Sequence, residues 1–386
     1  MNKNLKGPAR ELALGRGVVL DAEKTREGLV RVLVELEGSR EGEAIRGHEA
    51  KRGVPALAYP LFCGDVRSGD RVLLNTTAVD LQLGTGGTHF VVANLNRPRE
   101  ASLAEPGHVM KLRYTPLQFK SLSLEEAYGA ELGEDRGLEG MPVLVLELHS
   151  MVLPAALAFK RRRPGSGLVY IMKDGGSLPL AFSDLADYMK RQGLLDAVIT
   201  AGHAFGGDLE AVNVYTALLG ARHILKADAC IVAMGPGVLG TGTAWGFSGI
   251  EQGENINRAS ILGGRAVTAL RLSFAEGRER HRGVSHHSLT SLARAALRPA
   301  VIALPGELPE EKKAAVLAQL KEAGLPGIHS LSWPLTGKTL EDLKNLSWKA
   351  ASMGRTLEED PLFFAGAAAA GEEGARRLEP VGKGEP

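Results

Sequence analysis

The spacing of apolar and polar residues divides the chain into two parts with different expected folds. In residues 17–115 apolar side chains alternate with polar ones, most clearly in residues 30–36. A period of two predicts strands that bury one face. Turn residues such as Ser68-Gly69-Asp70 separate the alternating segments. This part is therefore predicted to be an all-β domain, either a barrel or a sandwich.

Beyond residue 140 the pattern changes to apolar runs of strand length separated by helical segments. The predicted strands are residues 143–148, 168–172, 197–200, 229–234, 267–274 and 300–304. The predicted helices are residues 183–192, 208–219, 249–262, 309–323, 340–353 and 361–377. This alternation predicts a mostly parallel sheet with helices on both faces, which is a doubly wound, Rossmann-like α/β fold.

The segment between these two parts, residues 121–140, is acidic and contains several glycines, and we expect it to be a linker. The expected domains are then an N-terminal β domain of residues 1–120 and an α/β domain of residues 141–386. A chain of 386 residues is long enough for both, because single cores seldom grow beyond about 300 residues.

Composition limits the partners and the compartment. The 46 basic and 45 acidic residues leave a net charge of +1, so no overall field draws the chain to nucleic acid. No apolar stretch reaches the roughly 20 residues that span a bilayer, and we expect no membrane partner. Only two cysteines occur, Cys63 and Cys230, which favours the cytoplasm over a secreted disulfide framework. Homo-oligomer formation is compatible with this composition.

Polar or glycine-rich segments follow five successive predicted strands. They are His149-Ser150 and residues 173–176, 201–208, 235–243 and 276–287. The carboxyl ends of parallel strands meet at one edge of a sheet, where helix N-termini and loop amides converge. The sequence therefore predicts a site for a small-molecule ligand at this edge.

The glycine-rich segment 235–243 is the first candidate for ligand contact. Its backbone can approach a phosphate or a carboxylate closely, or its glycines can serve tight turns and packing alone. The expected contact positions are Gly235, Gly237, Gly240, Thr241 and Gly242. Pro236 and a helix delayed to about residue 249 depart from the dinucleotide fingerprint, so NAD is not expected. Glu251 is expected either to touch the ligand or to favour the start of this helix.

His203 is the candidate general acid or base. It stands next to a glycine at a predicted strand end, where an imidazole has little packing to do. Asp174 or Asp208 could orient it. The alternative for Asp208 is the N-cap of the following helix.

The densest histidine cluster lies in residues 281–287. One interpretation is a cationic cleft for an anion, formed by Arg280, Arg282, His286 and His287. A second is a divalent metal, with ligands drawn from His149, His203, His286 and His287 and completed by Asp174, Asp208 or Glu251. The spacing matches no standard zinc motif, and a solvated basic loop is the third interpretation.

Taken together, these motifs resemble a bacterial family described as domain of unknown function 3866. The resemblance rests on residues 83–90, 111–116, 235–243, 249–254, 280–287 and 353–361. It covers nearly the whole chain. It implies no activity, cofactor or catalytic residue.

Three functions are therefore open, since a fold alone selects none of them. The first is an enzyme acting on a small phosphorylated or carboxylated metabolite, with His203 as acid or base. The second is a metal-dependent hydrolase that uses a cluster of histidine and aspartate. The third is a non-catalytic ligand sensor or assembly protein.

Overall fold

The computed structural model describes residues 11–38, 53–83, 87–97, 103–133 and 136–378. Contacts within the chain divide it into two compact units, Met1–Glu105 and Pro106–Pro386. Residues 121–140, the predicted linker, fall in the second unit, and their described part includes two short helices. Gly84 to Gly86, part of one motif of the resemblance, lie outside the described residues.

The first unit is a closed five-stranded barrel, as the period of two predicts. Its strands are β1 (Leu14–Arg26), β2 (Leu29–Leu36), β3 (Val54–Ala58), β4 (Arg71–Asn75) and β5 (His89–Asn94), arranged in the order β1-β2-β3-β5-β4. Short helices α1 (Pro60–Cys63) and α2 (Thr77–Asp80) lie between strands. Val32, Val34, Val72 and Leu74 are buried together inside the barrel, because alternate residues of a strand face the same side.

The second unit is a layered α/β domain. Its strands are β6 (Val109–Lys111), β7 (Phe119–Ser121), β8 (Pro142–Val145), β9 (Leu168–Lys173), β10 (Ala197–Ala201), β11 (Leu209–Ala211), β12 (Ala229–Met234), β13 (Arg265–Ala269), β14 (Leu272–Ser273), β15 (Gly283–Val284), β16 (Val301–Ala303), β17 (Ser330–Ser332), β18 (Ala351–Ser352) and β19 (Arg355–Thr356). Eight of them form one sheet in the order β11-β10-β9-β12-β8-β13-β16-β17. Every neighbouring pair in this sheet is parallel, which confirms the predicted fold class.

Helices cover both faces of this sheet. They are α3 (Leu124–Ala127), α4 (Gly129–Leu132), α5 (Val152–Arg162), α6 (Asp184–Arg191), α7 (Val214–Leu219), α8 (Glu251–Ile261), α9 (His286–Thr290), α10 (Glu310–Glu322), α11 (Gly337–Asn345) and α12 (Pro361–Arg376). Leu144 belongs to the core under α5 and α12, and its neighbours Val143 and Val145 belong to the core on the other face. None of the helices in the described part of the chain has the length and apolar character needed to span a bilayer.

The predicted helix of residues 208–219 is wrong in its first turn. Leu209–Ala211 pairs with β10 as the edge strand β11, and α7 begins only at Val214. The side chain of Asn213 caps α7 by accepting a hydrogen bond from the backbone of Thr216. Asp208 is therefore not an N-cap residue.

The strand order creates a crevice between β8 and β12. From β8 the chain passes through α5 to β9 on one side, and from β12 it passes through α8 to β13 on the other. Connections that leave two adjacent strands in opposite directions open a gap at their carboxyl ends, where α/β proteins bind ligands.

Candidate functional site

Charged residues follow β8, which borders the crevice, and β13, its other neighbour in the sheet. Glu147 lies two residues beyond the end of β8, and Arg271 lies two residues beyond the end of β13. Both are almost completely buried, with 1% and 4% of their surface exposed. A buried charge is costly unless it is paired or serves a ligand, so these two residues mark the site.

Three imidazoles meet beside this edge. His281 ends a short 3-10 turn, and His286 and His287 begin α9. One nitrogen from each ring lies within 4.8 Å of the others. Phe247 stacks on the His287 ring with 4.0 Å between ring centroids and an interplanar angle of 4°. His281, His286 and His287 thus form one compact cluster, which we call the histidine cluster.

Several polar atoms of this region have no hydrogen-bond partner among the described residues. They are Nε2 of His286, Nδ1 of His287 and Oε1 of Glu147, and all three are buried. Glu147 Oε1 lies 3.6 Å from His287 Nδ1, which is beyond hydrogen-bonding distance. Leaving such groups unpaired costs about 1–3 kcal/mol each. A bound ligand or ion is one explanation for a cost of this kind at a native site.

Neighbouring serines hold the cluster in position. Ser288 Oγ donates to Oε2 of Glu147 at 2.6 Å, which leaves Oε1 of the same carboxylate free. Ser285 caps α9, and its Oγ lies 2.8 Å from Nδ1 of His281. Hydrogen bonds of this type orient ligand side chains in metal sites.

Two of the imidazoles, those of His281 and His286, have a lowered pKa. Burial, together with the positive charge of Arg271, lowers the pKa of His281 to about 3. Burial also lowers the pKa of His286, and the neighbouring His287 and Arg280 lower it further. A neutral imidazole keeps one nitrogen lone pair, which is what a metal ion requires of it.

Arg271 is attached to the segment that carries the histidines. Its backbone N–H donates to Ser288 Oγ at 3.0 Å, and its carbonyl accepts from the backbone N–H of Ser285 at 2.9 Å. The guanidinium of Arg280 contacts the cluster directly, since its Nε donates to Nε2 of His281 at 3.3 Å. One arginine thus touches an imidazole, and the backbone of the other is joined to the serines beside the imidazoles.

Part of the glycine-rich segment lies directly at the cluster. Gly240 pairs with Phe247 in a hairpin, and a Cβ on Gly240 would lie 3.2 Å from Cε1 of His287. A Cβ on Gly242 would lie 3.8 Å from the Arg280 guanidinium. Of the residues predicted from the sequence, the structure thus brings together Gly240, Gly242, Arg280, His286 and His287.

The remaining glycine-segment residues have other surroundings. A Cβ on Gly235 would lie 2.4 Å from the carbonyl oxygen of Ser177, so this glycine permits close packing of two loops. Thr241 Oγ1 donates to the carbonyl of Gly246 inside the hairpin. Gly237 is exposed, with a φ of 103°.

The predicted acid–base group lies apart from the histidine cluster. His203 Nδ1 accepts from the backbone of Leu112 at 3.1 Å, and the backbone N–H of His203 donates to Asp174 at 3.0 Å. His203 follows β10, which is three strand positions from β8, or about 14 Å. Asp208 accepts from the backbone of Val198, near the start of β10, and pairs with Lys190. The structure brings Asp174 to His203, but it holds Asp208 towards the opposite end of the strand.

Three further predicted residues also lie outside the cluster. His149 contacts Tyr170 through Nδ1 at 3.0 Å and Ser183 through Nε2 at 2.7 Å, so both of its ring nitrogens are occupied. Glu251 forms an ion pair with the buried Lys173 at the end of β9. The Arg282 side chain is exposed.

Sequence reasoning missed Glu147 and Arg271, although a signal was present. Each charge interrupts an apolar run that was interpreted as a buried strand, in residues 143–148 and 267–274. Charged residues are almost never fully buried without a partner or a function. A single charged residue inside such a run is therefore a candidate site residue.

The chain was compared with known proteins. A family model described as a protein of unknown function, DUF3866, matches residues 55–371, in agreement with the resemblance seen in the motifs. Searches of curated proteins and of solved structures gave no significant match.

Proposed function

We propose that this chain, which belongs to the DUF3866 family, is a metal-dependent hydrolase that acts on a small anionic molecule. The observation that carries the proposal is the histidine cluster, in which three imidazoles lie within 4.8 Å of one another beside the unpaired oxygen of Glu147. Three protein ligands and one open position are typical of catalytic zinc sites.

The donor set fits a divalent transition metal. Neutral imidazoles suit Zn²⁺, Fe²⁺ and Ni²⁺ better than Mg²⁺ or Ca²⁺, which prefer oxygen. We assign His281, His286 and His287 as the ligands. Binding through Nε2 of His281 would displace the 3.3 Å contact that this nitrogen makes with Arg280 Nε. A metal bound there would supply a water molecule of lowered pKa.

Glu147 is the general base in this proposal. Its Oε2 is held by Ser288, and its buried Oε1 has no hydrogen-bond partner in the described part of the chain. A carboxylate with one fixed and one free oxygen can accept a proton from water without moving. Its place next to His287 supports this role over a purely structural one.

Other features support the proposed site and the proposed location of the protein in the cell. The hairpin through Gly240 covers one side of the imidazoles with backbone, and Phe247 covers another. Limited access of solvent strengthens electrostatic interactions in a catalytic site. The chain has only two cysteines, Cys63 and Cys230, and both are buried, which supports a cytoplasmic location.

The first test is metal content. The full chain, purified without chelators, is assayed by elemental analysis before and after reloading with Zn²⁺, Mn²⁺, Fe²⁺ or Co²⁺. We expect stoichiometric metal, and a Co²⁺ absorption spectrum typical of histidine ligands. A chain that takes up none of these ions refutes the proposal. Hydrolysis is then screened with anionic esters and amides on the loaded protein.

A further inference from the structure

We infer that Arg271, assisted by Arg280, binds a phosphoryl group, so that the substrate is a phosphate monoester. This inference rests on the proposed function because the bond to be broken must lie at the histidine cluster. It adds a substrate class and two residues that bind it.

Arg271 is a cation without a strong partner. The guanidinium makes no hydrogen bond to the described residues, and its nearest carboxylate oxygen, Oε2 of Glu276, lies 3.9 Å away. Only 4% of Arg271 is exposed. The side chain as a whole keeps 5% of its surface exposed. A nearly buried guanidinium with no close carboxylate is suited to an anion.

Glu276 neutralises Arg271 only in part, because other arginines lie closer to its carboxylate oxygens. Arg278 donates to both of its oxygens, at 3.0 and 2.9 Å, and Arg355 donates at 3.3 Å. Asp360 is likewise engaged by Arg355 and Ser273. The guanidinium groups of Arg271, Arg278 and Arg355 thus share the two carboxylates of Glu276 and Asp360. A divalent ion would increase this positive excess further, and an anionic ligand offsets it.

The placement of the two arginines favours phosphate over carboxylate. Arg280 contacts His281 through its guanidinium Nε at 3.3 Å, and the backbone of Arg271 is hydrogen-bonded to Ser288, next to His287. A phosphate monoester has three terminal oxygens to share between two guanidinium groups and a metal, whereas a carboxylate has two. Arginine is also the residue that binds such oxygens in pairs.

The reaction balances with water as the only co-reactant. The oxygen of water attacks phosphorus, and the bond from phosphorus to the ester oxygen breaks. Glu147 takes one proton from the water, and that proton passes to the departing alkoxide. The products are an alcohol and inorganic phosphate. Arg271 and Arg280 stabilise the charge on the terminal oxygens throughout.

The experiment measures binding of inorganic phosphate by titration calorimetry to the full chain, with metal and after dialysis against chelator. Arg271→Gln and Arg280→Gln are compared with wild type and with Arg298→Gln, an exposed control. We expect each site variant to weaken phosphate binding by about 10- to 100-fold, while metal content and circular dichroism stay unchanged. Arg280 is exposed, so its variant remains informative if Arg271→Gln unfolds.

The outcomes separate this inference from the proposed function. Phosphate binding that depends on Arg271 in a chain that takes up no metal supports the anion site and refutes the hydrolase. Stoichiometric metal with phosphate affinity unaffected by both variants overturns the inference alone. Acetate or malonate binding as tightly as phosphate overturns the phosphoryl assignment.

Discussion

The free carboxylate oxygen of Glu147 lies 3.6 Å from Nδ1 of His287, and both atoms are buried without a hydrogen-bond partner among the described residues. Ser288 fixes the carboxylate through its other oxygen, and Phe247 fixes the imidazole by stacking. The carboxylate and the imidazole are therefore held next to each other without a hydrogen bond between them.

His286→Gln should abolish stoichiometric metal binding, because it removes a nitrogen that has no other partner in the described part of the chain. Elemental analysis after reloading with Zn²⁺ checks this. His108→Gln, at an exposed position, is the matched control and should retain the metal. His149→Gln should also retain it but lower the free energy of unfolding by about 1–3 kcal/mol, since it disrupts a buried hydrogen-bond chain. Metal loss in His149→Gln alone would reverse our ligand assignment.

Glu147→Gln should keep the metal and lower kcat by about 10²- to 10⁴-fold, because the amide cannot accept a proton from water. Steady-state kinetics on the loaded protein, paired with metal analysis, provide the measurement. His203→Ala is the comparison variant and should keep its activity, because His203 follows β10, three strands from β8. If His203→Ala is inactive and Glu147→Gln is not, the base is His203, as first predicted from the sequence.

Gly235→Ala should lower the free energy of unfolding by about 1–3 kcal/mol, because its Cβ would press against a backbone carbonyl that cannot move freely. Chemical denaturation measures the change. Gly165→Ala is the control, since nothing lies within 4 Å of the added Cβ. Equal stability of the two variants would mean that the loop moves to accommodate the added Cβ, and would contradict the predicted packing role of Gly235.

Glu276 should make the fold sensitive to acid. Hydrogen bonds from Arg278 lower the pKa of Glu276 from 4.5 to about 2. A carboxylate with a lowered pKa contributes its full stability above pH 4.5 and loses it as the pH falls towards 2. Glu276→Gln should thus be less stable than wild type by about 3 kcal/mol at neutral pH, with the gap closing over this range.

Urea denaturation in phosphate-free buffer between pH 2 and 7 tests the Glu276 prediction. Glu310→Gln changes an exposed carboxylate and should follow wild type at every pH, because surface ion pairs contribute little. A gap between Glu276→Gln and wild type that stays constant with pH would contradict the prediction.

The fold classes of both units could be predicted because they depend on local pattern. Alternation such as that in residues 30–36 becomes a barrel strand, and apolar runs such as residues 229–234 become buried parallel strands. Alternation indicates a strand with one buried face, and a continuous apolar run indicates a strand buried on both faces. Neither depends on which strands are its neighbours in the sheet. Once the strands were predicted, the polar and glycine-rich segments that follow them could be assigned to the strand ends.

The membership of the site was decided by tertiary structure alone. Glu147 and Ser288 are 141 residues apart and still share a hydrogen bond, because β8 lies next to β13 and the chain returns from β13 through Arg271 to α9. His203 lies apart from the histidine cluster because β10 is three strand positions from β8. Local periodicity determines whether a strand is buried, whereas its position in the sheet depends on contacts between distant segments. The sequence by itself therefore determined the two folds and the edge that carries polar groups, and only the packed sheet decided which of those groups meet.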